Sequence, residues 1–416
     1  MLRIDERHRM SGLLTRWTLV FCAIGVPALA QEPAPLSGHY MFAWAGDVAQ
    51  QGNDFLAVID ADPRSPSYGH LMATTVTDQQ TGQVHHTEYT MPEGGLLFAN
   101  DHVAGRTFVF DVRDPLHPTV AASFTNLAGY SHPHSFLRLP NGHVLASFQH
   151  TQQPAMGPPA ADVEDSGGIV EIDDQGRLIR AASTTDPAFP EAMLMPYSLL
   201  PLPDLDRLVV TNSSMSDLDP HGHTYQVWRL SSLELLRTEY FDTGGEREGD
   251  INPEEPRRGP DGSIFVQTLN CGIERITGVA TDHPRSQLVH MFPGSHCGVP
   301  TIVGHYLIQS VPLVNGVIVL DLKNPAKPTE VSRLQLGEGF VPHWTGWDAK
   351  AERLVVTGYG DLHRLFMLKL DQKTGVVTID TAFHDADGKV GFNFGDRQWP
   401  HGWTGSANPH GVVFSR

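Results

Sequence analysis

Short apolar runs recur along the chain, each closed by Gly, Asp or Pro and each too short to be a helix. Tyr40–Trp44, Leu96–Asn100, Val144–Phe148, Leu208–Asn212, Ile264–Leu269, Tyr306–Val311 and Leu354–Gly358 are rich in Val, Leu, Ile and Phe, the signature of buried strands. A second pattern follows each run: an apolar strand ending in Asp or a substitute, a tight turn, then another strand. Val109–Pro118 and Val319–Pro328 are the clearest copies, and weaker ones centre on Asp60, Asp173, Arg229, Glu274 and Lys369. That makes seven copies, at a spacing of roughly 40–50 residues, the length of one propeller blade. No amphipathic helical stretch interrupts them. The pattern therefore predicts an all-β chain folded as a seven-bladed β-propeller, since radial repetition of four-stranded sheets leaves few exposed edges. The closing segment His410–Ser415 has no blade of its own and is expected to pair with the strand at Tyr40, sealing the ring.

Composition agrees with many strands joined by turns: the 416 residues include 40 Gly and 31 Pro. The first thirty residues read differently. Arg7, Arg9 and Arg16 precede an apolar run from Trp17 to Leu29 that ends in Ala28-Leu29-Ala30, which is the layout of a secretory signal peptide. Translation from Met10 would give a tidier version. The run is broken by Pro27 and too short to span a bilayer, and bulky Phe21 speaks against a lipoprotein signal at Cys22. Residues 1–30 are thus expected to be a signal peptide, and residues 31–416 a single domain working in the periplasm or outside the cell. The formal net charge of −18 repels phosphate backbones and anionic lipid, which excludes nucleic-acid and membrane-surface partners. Cys271 and Cys297 remain after the signal. They could form a disulfide in an oxidising compartment, stay as a thiol pair, or leave Cys297 as a soft ligand beside His296.

The first strand of a propeller blade lines the central channel. Counting back about ten residues from each second strand lands on His86, His134, Tyr197, Glu254, His296 and His343, with His410 on the closing strand. His85 adjoins His86, and His132 lies two residues before His134. Period-two alternation puts His132 and His134 on one face and sends His85 and His86 to opposite faces unless the strand is bulged. Several imidazoles on one concave surface suit copper, zinc, iron or nickel. Glu254 could be a ligand, an orienting partner or a general base, with Glu255 in its place if the register slips. Water-filled channels lined by polar residues are the competing account.

Some segments resemble the selenium-binding protein (methanethiol oxidase) family. Asp54–Tyr68 is similar to that family's first-blade signature, and Val84-His85-His86 looks like its double-histidine element. His134 with Gly142–Ser147, Gly167–Asp173, Tyr225–Trp228 and the Asp321–Pro328 turn continue the likeness. The resemblance implies a seven-bladed propeller and, for exported bacterial members, copper-dependent oxidation of methanethiol by oxygen to formaldehyde, hydrogen sulfide and hydrogen peroxide. It implies metal binding by His86 and His134, with His343 and His410 as looser matches. The chain departs from the family near Trp44-Ala45-Gly46, where the family can carry a selenium-binding cysteine, and at Thr87–Thr90, where its cysteine cluster is missing.

The expected function is a copper-dependent oxidase of a small thiol or related molecule, with Glu254 as the catalytic carboxylate. The candidate ligands are His85, His86, His132, His134, His296, His343 and His410, and another transition metal could take copper's place. A non-catalytic binding or scaffold propeller is the second expectation. A calcium-dependent hydrolase or lactonase comes last, because it needs oxygen ligands that this ring does not offer.

Overall fold

The computed structural model describes residues 38–81, 83–151, 166–190, 192, 194–215, 222–242 and 251–416. The expected signal segment 1–30, with Met10 and Cys22, lies outside them. Seven antiparallel sheets form the blades of the propeller. Their innermost strands are, in ring order, Ala407–Phe414 (blade 1), Val84–Thr87 (2), Tyr130–Arg138 (3), Pro196–Leu202 (4), Pro253–Arg258 (5), Thr301–Val303 (6) and Val341–Asp348 (7). Every apolar run identified in the sequence is the second strand of its blade.

Those second strands are buried on both faces, because each sheet is sandwiched between two neighbours. Leu97 and Ala99 meet Trp44 and Phe42 of blade 1, while Phe98, pointing the opposite way, meets Phe136 and Val170 of blade 3. The fourth strands, such as Thr119–Phe124, are largely exposed at the rim. The recurring Asp at the end of the third strand has a local task. The carboxylates of Asp60, Asp111, Asp173 and Asp321 each accept the backbone N–H two residues on, the Asx turn that reverses the chain into the fourth strand.

The C-terminal strand Ala407–Phe414 lies against Tyr40–Asp47 as the inner strand of blade 1. A buried clasp sits at this seam: His39 Nε2 is 2.6 Å from Asp348 Oδ2 and its Nδ1 is 3.0 Å from Ser415 Oγ, which also accepts the Tyr40 amide.

One irregularity repeats and sets up the site. Between matched ladder pairs, the inner strand spends three residues where the second strand spends two. The extra pair is His410-Gly411, His85-His86, His134-Ser135, Tyr197-Ser198, Glu254-Glu255 and His343-Trp344 in blades 1, 2, 3, 4, 5 and 7. In blade 6 the pairing of Thr301 with Ile308 and the Gly298-to-Ser310 backbone bond leave Val299-Pro300 there. A bulge re-aims side chains and frees them from strict alternation. In each blade, two consecutive side chains are available to the axis.

Candidate metal centre

The first residues of these bulges make the ring. Going round through blades 4, 3, 2, 1 and 7, the ring centroids of Tyr197 and His134 are 4.0 Å apart, His134 and His85 4.6 Å, His85 and His410 4.1 Å, and His410 and His343 4.5 Å. Glu254 of blade 5 and Val299 of blade 6 complete the circle. Imidazoles therefore occupy one side of the channel, and a carboxyl group with tyrosines occupies the other. The closing strand reaches its place because of Gly411, where a Cβ would collide with the Thr87 amide nitrogen.

His86, the second residue of its bulge, lies beneath the ring. It stacks on His85 at 4.2 Å with the planes 10° apart, and its ring is 4.5 Å from His134. Alternation alone would have separated His85 from His86; the bulge brings both into one cluster. Register also identifies His85, not His86, as the counterpart of His134 and His410. His85, His86 and His410 each offer a ring nitrogen within 4.8 Å of the others.

His85 Nδ1, His86 Nε2, His134 Nε2, His343 Nε2 and both nitrogens of His410 are buried without a hydrogen-bond partner in the protein. Buried polar atoms are normally satisfied, so this concentration of orphans on one axis fits a ligand set. Burial holds the imidazoles of His85, His86, His134 and His410 well below their ordinary range, helped by neighbouring imidazoles, and burial brings His343 down to about 4. All are then neutral near pH 7, the state in which imidazole binds metal.

Below the histidines runs a buried polar network. His86 Nδ1 is 3.1 Å from Ser135 Oγ, which donates onward to Ser198 Oγ at 3.4 Å, and Ser198 donates to Glu255 Oε2 at 2.7 Å. Arg257 and the Tyr89 hydroxyl also donate to Glu255. With its Nδ1 proton given to Ser135, His86 turns an Nε2 lone pair towards Glu255 Oε1, 3.6 Å away. Two acceptors facing each other need a proton or a metal ion between or beside them.

Above the ring, a cavity of about 500 Å³ is lined by His85, His102, Tyr197, Glu254, His343 and Tyr359, among others. Glu254 Oε2 accepts a 2.7 Å hydrogen bond from Gln267. Burial pushes the Glu254 carboxyl up to about 8, opposed by the Gln267 bond and reinforced by Glu255.

Two sequence candidates stand apart. His296 is exposed at the cavity mouth, beside Ser295. Blade 6 has an inner strand of only three residues, reached through a turn, so a ten-residue count overshoots Val299 by three positions. Cys271 and Cys297 are joined as a disulfide, which removes Cys297 as a thiolate ligand. His132 adopts a left-handed backbone, φ 56°, which breaks the alternation expected to align it with His134. Its ring lies 5.0 Å from His150 and 6.3 Å from His102. His401 belongs to a separate aromatic stack with Trp399 and Trp403. Sequence reasoning missed Ser135, Ser198, Tyr89, Arg257, His102 and Tyr359; for the two serines the signal was their position directly after a ring residue.

No protein-family model matches the chain. A stretch of 119 residues is 30% identical to methanethiol oxidase from a Hyphomicrobium species, covering 27% of this chain and 27% of that protein. A hypothetical selenium-binding protein from Sulfolobus tokodaii has a similar fold, with a TM-score of 0.69 at 16% identity, over 90% of this chain and 93% of that one. A putative 6-phosphogluconolactonase from Bacteroides fragilis gives 0.61 at 11% identity, over 92% and 100%. At such identities these structures speak for the propeller fold alone.

Proposed function

We propose that the axial histidines hold a transition-metal ion, copper fitting best, and that the protein oxidises a small thiol in the cavity above it. The observation that carries this reading is the cluster of neutral imidazoles whose axial ring nitrogens have no hydrogen-bond partner. His85, His86, His134, His343 and His410 would be the donors. Imidazole suits copper better than calcium, which argues against a hard-metal lactonase despite the shared fold. The local identity to methanethiol oxidase supports a thiol.

Copper, when bound, supplies one-electron chemistry and affinity for thiolate sulfur and dioxygen. The chain supplies orientation and proton handling. The Tyr197 carbonyl and the Ser135 hydroxyl fix which nitrogens of His134 and His86 carry protons. Glu254 is the one carboxyl in the ring, and Gln267 leaves its Oε1 free to exchange a proton with a thiol across the cavity. A carboxyl near pH 8 is matched to a thiol proton.

The disulfide suits an oxidising compartment, consistent with export to the periplasm or beyond. No helix among the described residues is long and apolar enough to cross a membrane. Metal analysis and spin-resonance spectroscopy of the mature protein from copper-replete cells provide the test, followed by oxygen consumption with methanethiol. Stoichiometric copper with nitrogen hyperfine structure and thiol-dependent oxygen uptake are expected. A metal-free protein under those conditions would overturn the reading.

A further inference from the structure

A second set of histidines leads from the outside of the ring to its centre. His102 follows the second strand of blade 2, His132 lies on the inner strand of blade 3, and His150 pairs beside it on that blade's second strand. Ring centroids step from His150 to His132 in 5.0 Å, to His102 in 6.3 Å, and from His102 to His85 in 5.9 Å or His134 in 6.1 Å. His132 and His150 are partly exposed, whereas the buried His102 Nδ1 has no hydrogen-bond partner. His102 also lines the cavity. The His132 ring rests over Gly105, its Nε2 3.5 Å from where a Cβ would stand, so a larger residue would crowd it.

We propose that His102, His132 and His150 form a capture site where a transition-metal ion first binds and from which His102 hands it to the axial histidines. This rests on the axial metal reading. A deeply buried centre needs a route, because a hydrated ion cannot be desolvated in one step without replacement ligands. With ring centroids 5.0–6.3 Å apart, rotation of a side chain brings the next imidazole to the ion, so that each new nitrogen bond replaces the previous one. The ion keeps its charge throughout, so no oxidant or reductant is needed. The net charge of −18 raises the concentration of cations around the protein. The capture site is looser than the axial one, since its three rings do not offer nitrogens as closely grouped as those of His85, His86 and His410.

The experiment uses the mature full-length protein and Cu(II) supplied as its glycine complex. In stopped-flow loading, His102→Ala and His150→Ala should each slow metal uptake by about tenfold or more while reaching the wild-type copper content at equilibrium. An uptake rate unchanged in either variant overturns the proposal. A second measurement separates it from the axial reading. In the His85→Ala/His410→Ala background a weakly held Cu(II) with histidine nitrogen hyperfine should persist, and vanish on adding His102→Ala and His150→Ala. If no weak copper is seen in that background, the capture site fails even where the axial site stands. If weak copper is seen but wild type never acquires a tighter one, the axial reading fails and the hand-over with it.

Discussion

His134 donates its Nδ1 proton to the backbone carbonyl of Tyr197 across 2.7 Å. A carbonyl can only accept, so the tautomer of His134 is fixed before any metal arrives, and the Nε2 lone pair is left on the axis. Because a backbone atom does this, Tyr197→Phe should leave copper affinity unchanged. Ser135→Ala, which removes the partner of His86 Nδ1, should lower it by about tenfold. Competition against a chelator of known affinity measures both.

The unpartnered nitrogens have an energetic consequence. Each buried, unsatisfied polar atom costs about 1–3 kcal/mol, and His410 contributes to this set. His410→Leu should therefore raise the melting temperature of the metal-free protein while removing the stabilisation that copper gives wild type. At a free copper level about a hundred times the dissociation constant, that stabilisation is about 2.7 kcal/mol. Thermal melts with and without metal test both statements, and a lower apo melting temperature would count against the orphan argument.

Glu254→Gln should keep the metal, since histidines supply the donors, yet reduce thiol-dependent oxygen uptake by about a hundredfold or more. Copper content by mass spectrometry alongside turnover separates the two effects. Loss of copper in this variant would instead make Glu254 a ligand.

A pH effect on stability arises far from the axis. Glu274, on the third strand of blade 5, has its carboxyl pushed up to about 8 by burial and, secondarily, by Asp242. The unfolded chain releases this proton near the ordinary carboxylate value while the folded chain keeps it. The contribution of Glu274 itself should therefore fall as pH rises from about 4.5 to about 8 and level off above, with a slope of at most about 1.4 kcal/mol per pH unit; Glu254 declines in parallel, while the lowered buried imidazoles add stability as pH rises towards about 6.5. Relative to wild type, Glu274→Gln should gain stability steadily across that window, ending more stable at pH 8 and little changed at pH 4. Denaturant melts across that range would show it.

Replacing Cys271 and Cys297 by serine opens a loop spanning 26 residues. Loop-closure entropy puts the loss at about 3.5 kcal/mol. Metal content should be retained, because Val299 and not His296 holds blade 6's place in the ring.

The blade strands were legible because their apolar runs and terminal aspartates report on burial and turn chemistry, both local properties. His134, Tyr197, Glu254 and His343 were found by counting because each stands ten positions before the first residue of its blade's second strand, and His410 because the closing strand has no blade of its own. The same count missed in two places. In blade 2 it chose His86 over His85, since the connection there is one residue longer and His85 stands eleven positions before Leu96. In blade 6 it chose His296, since a three-residue strand entered through a disulfide-tethered turn shortens the interval. The network from His86 to Glu255 was invisible for a different reason: it joins residues up to 169 positions apart that meet only after the ring closes.

The repeated bulge also makes the channel refillable. Each blade presents two adjacent positions set apart from the ladder, so, Gly411 excepted, what they carry matters little to strand register. Seven such sockets, each holding a pair, behave as an address table on a fixed backbone. Exchanging the imidazoles of the four sockets that carry them for carboxylates or amides, with Gly411 kept, would recast this chamber for a hard cation. The propeller itself would scarcely notice the change.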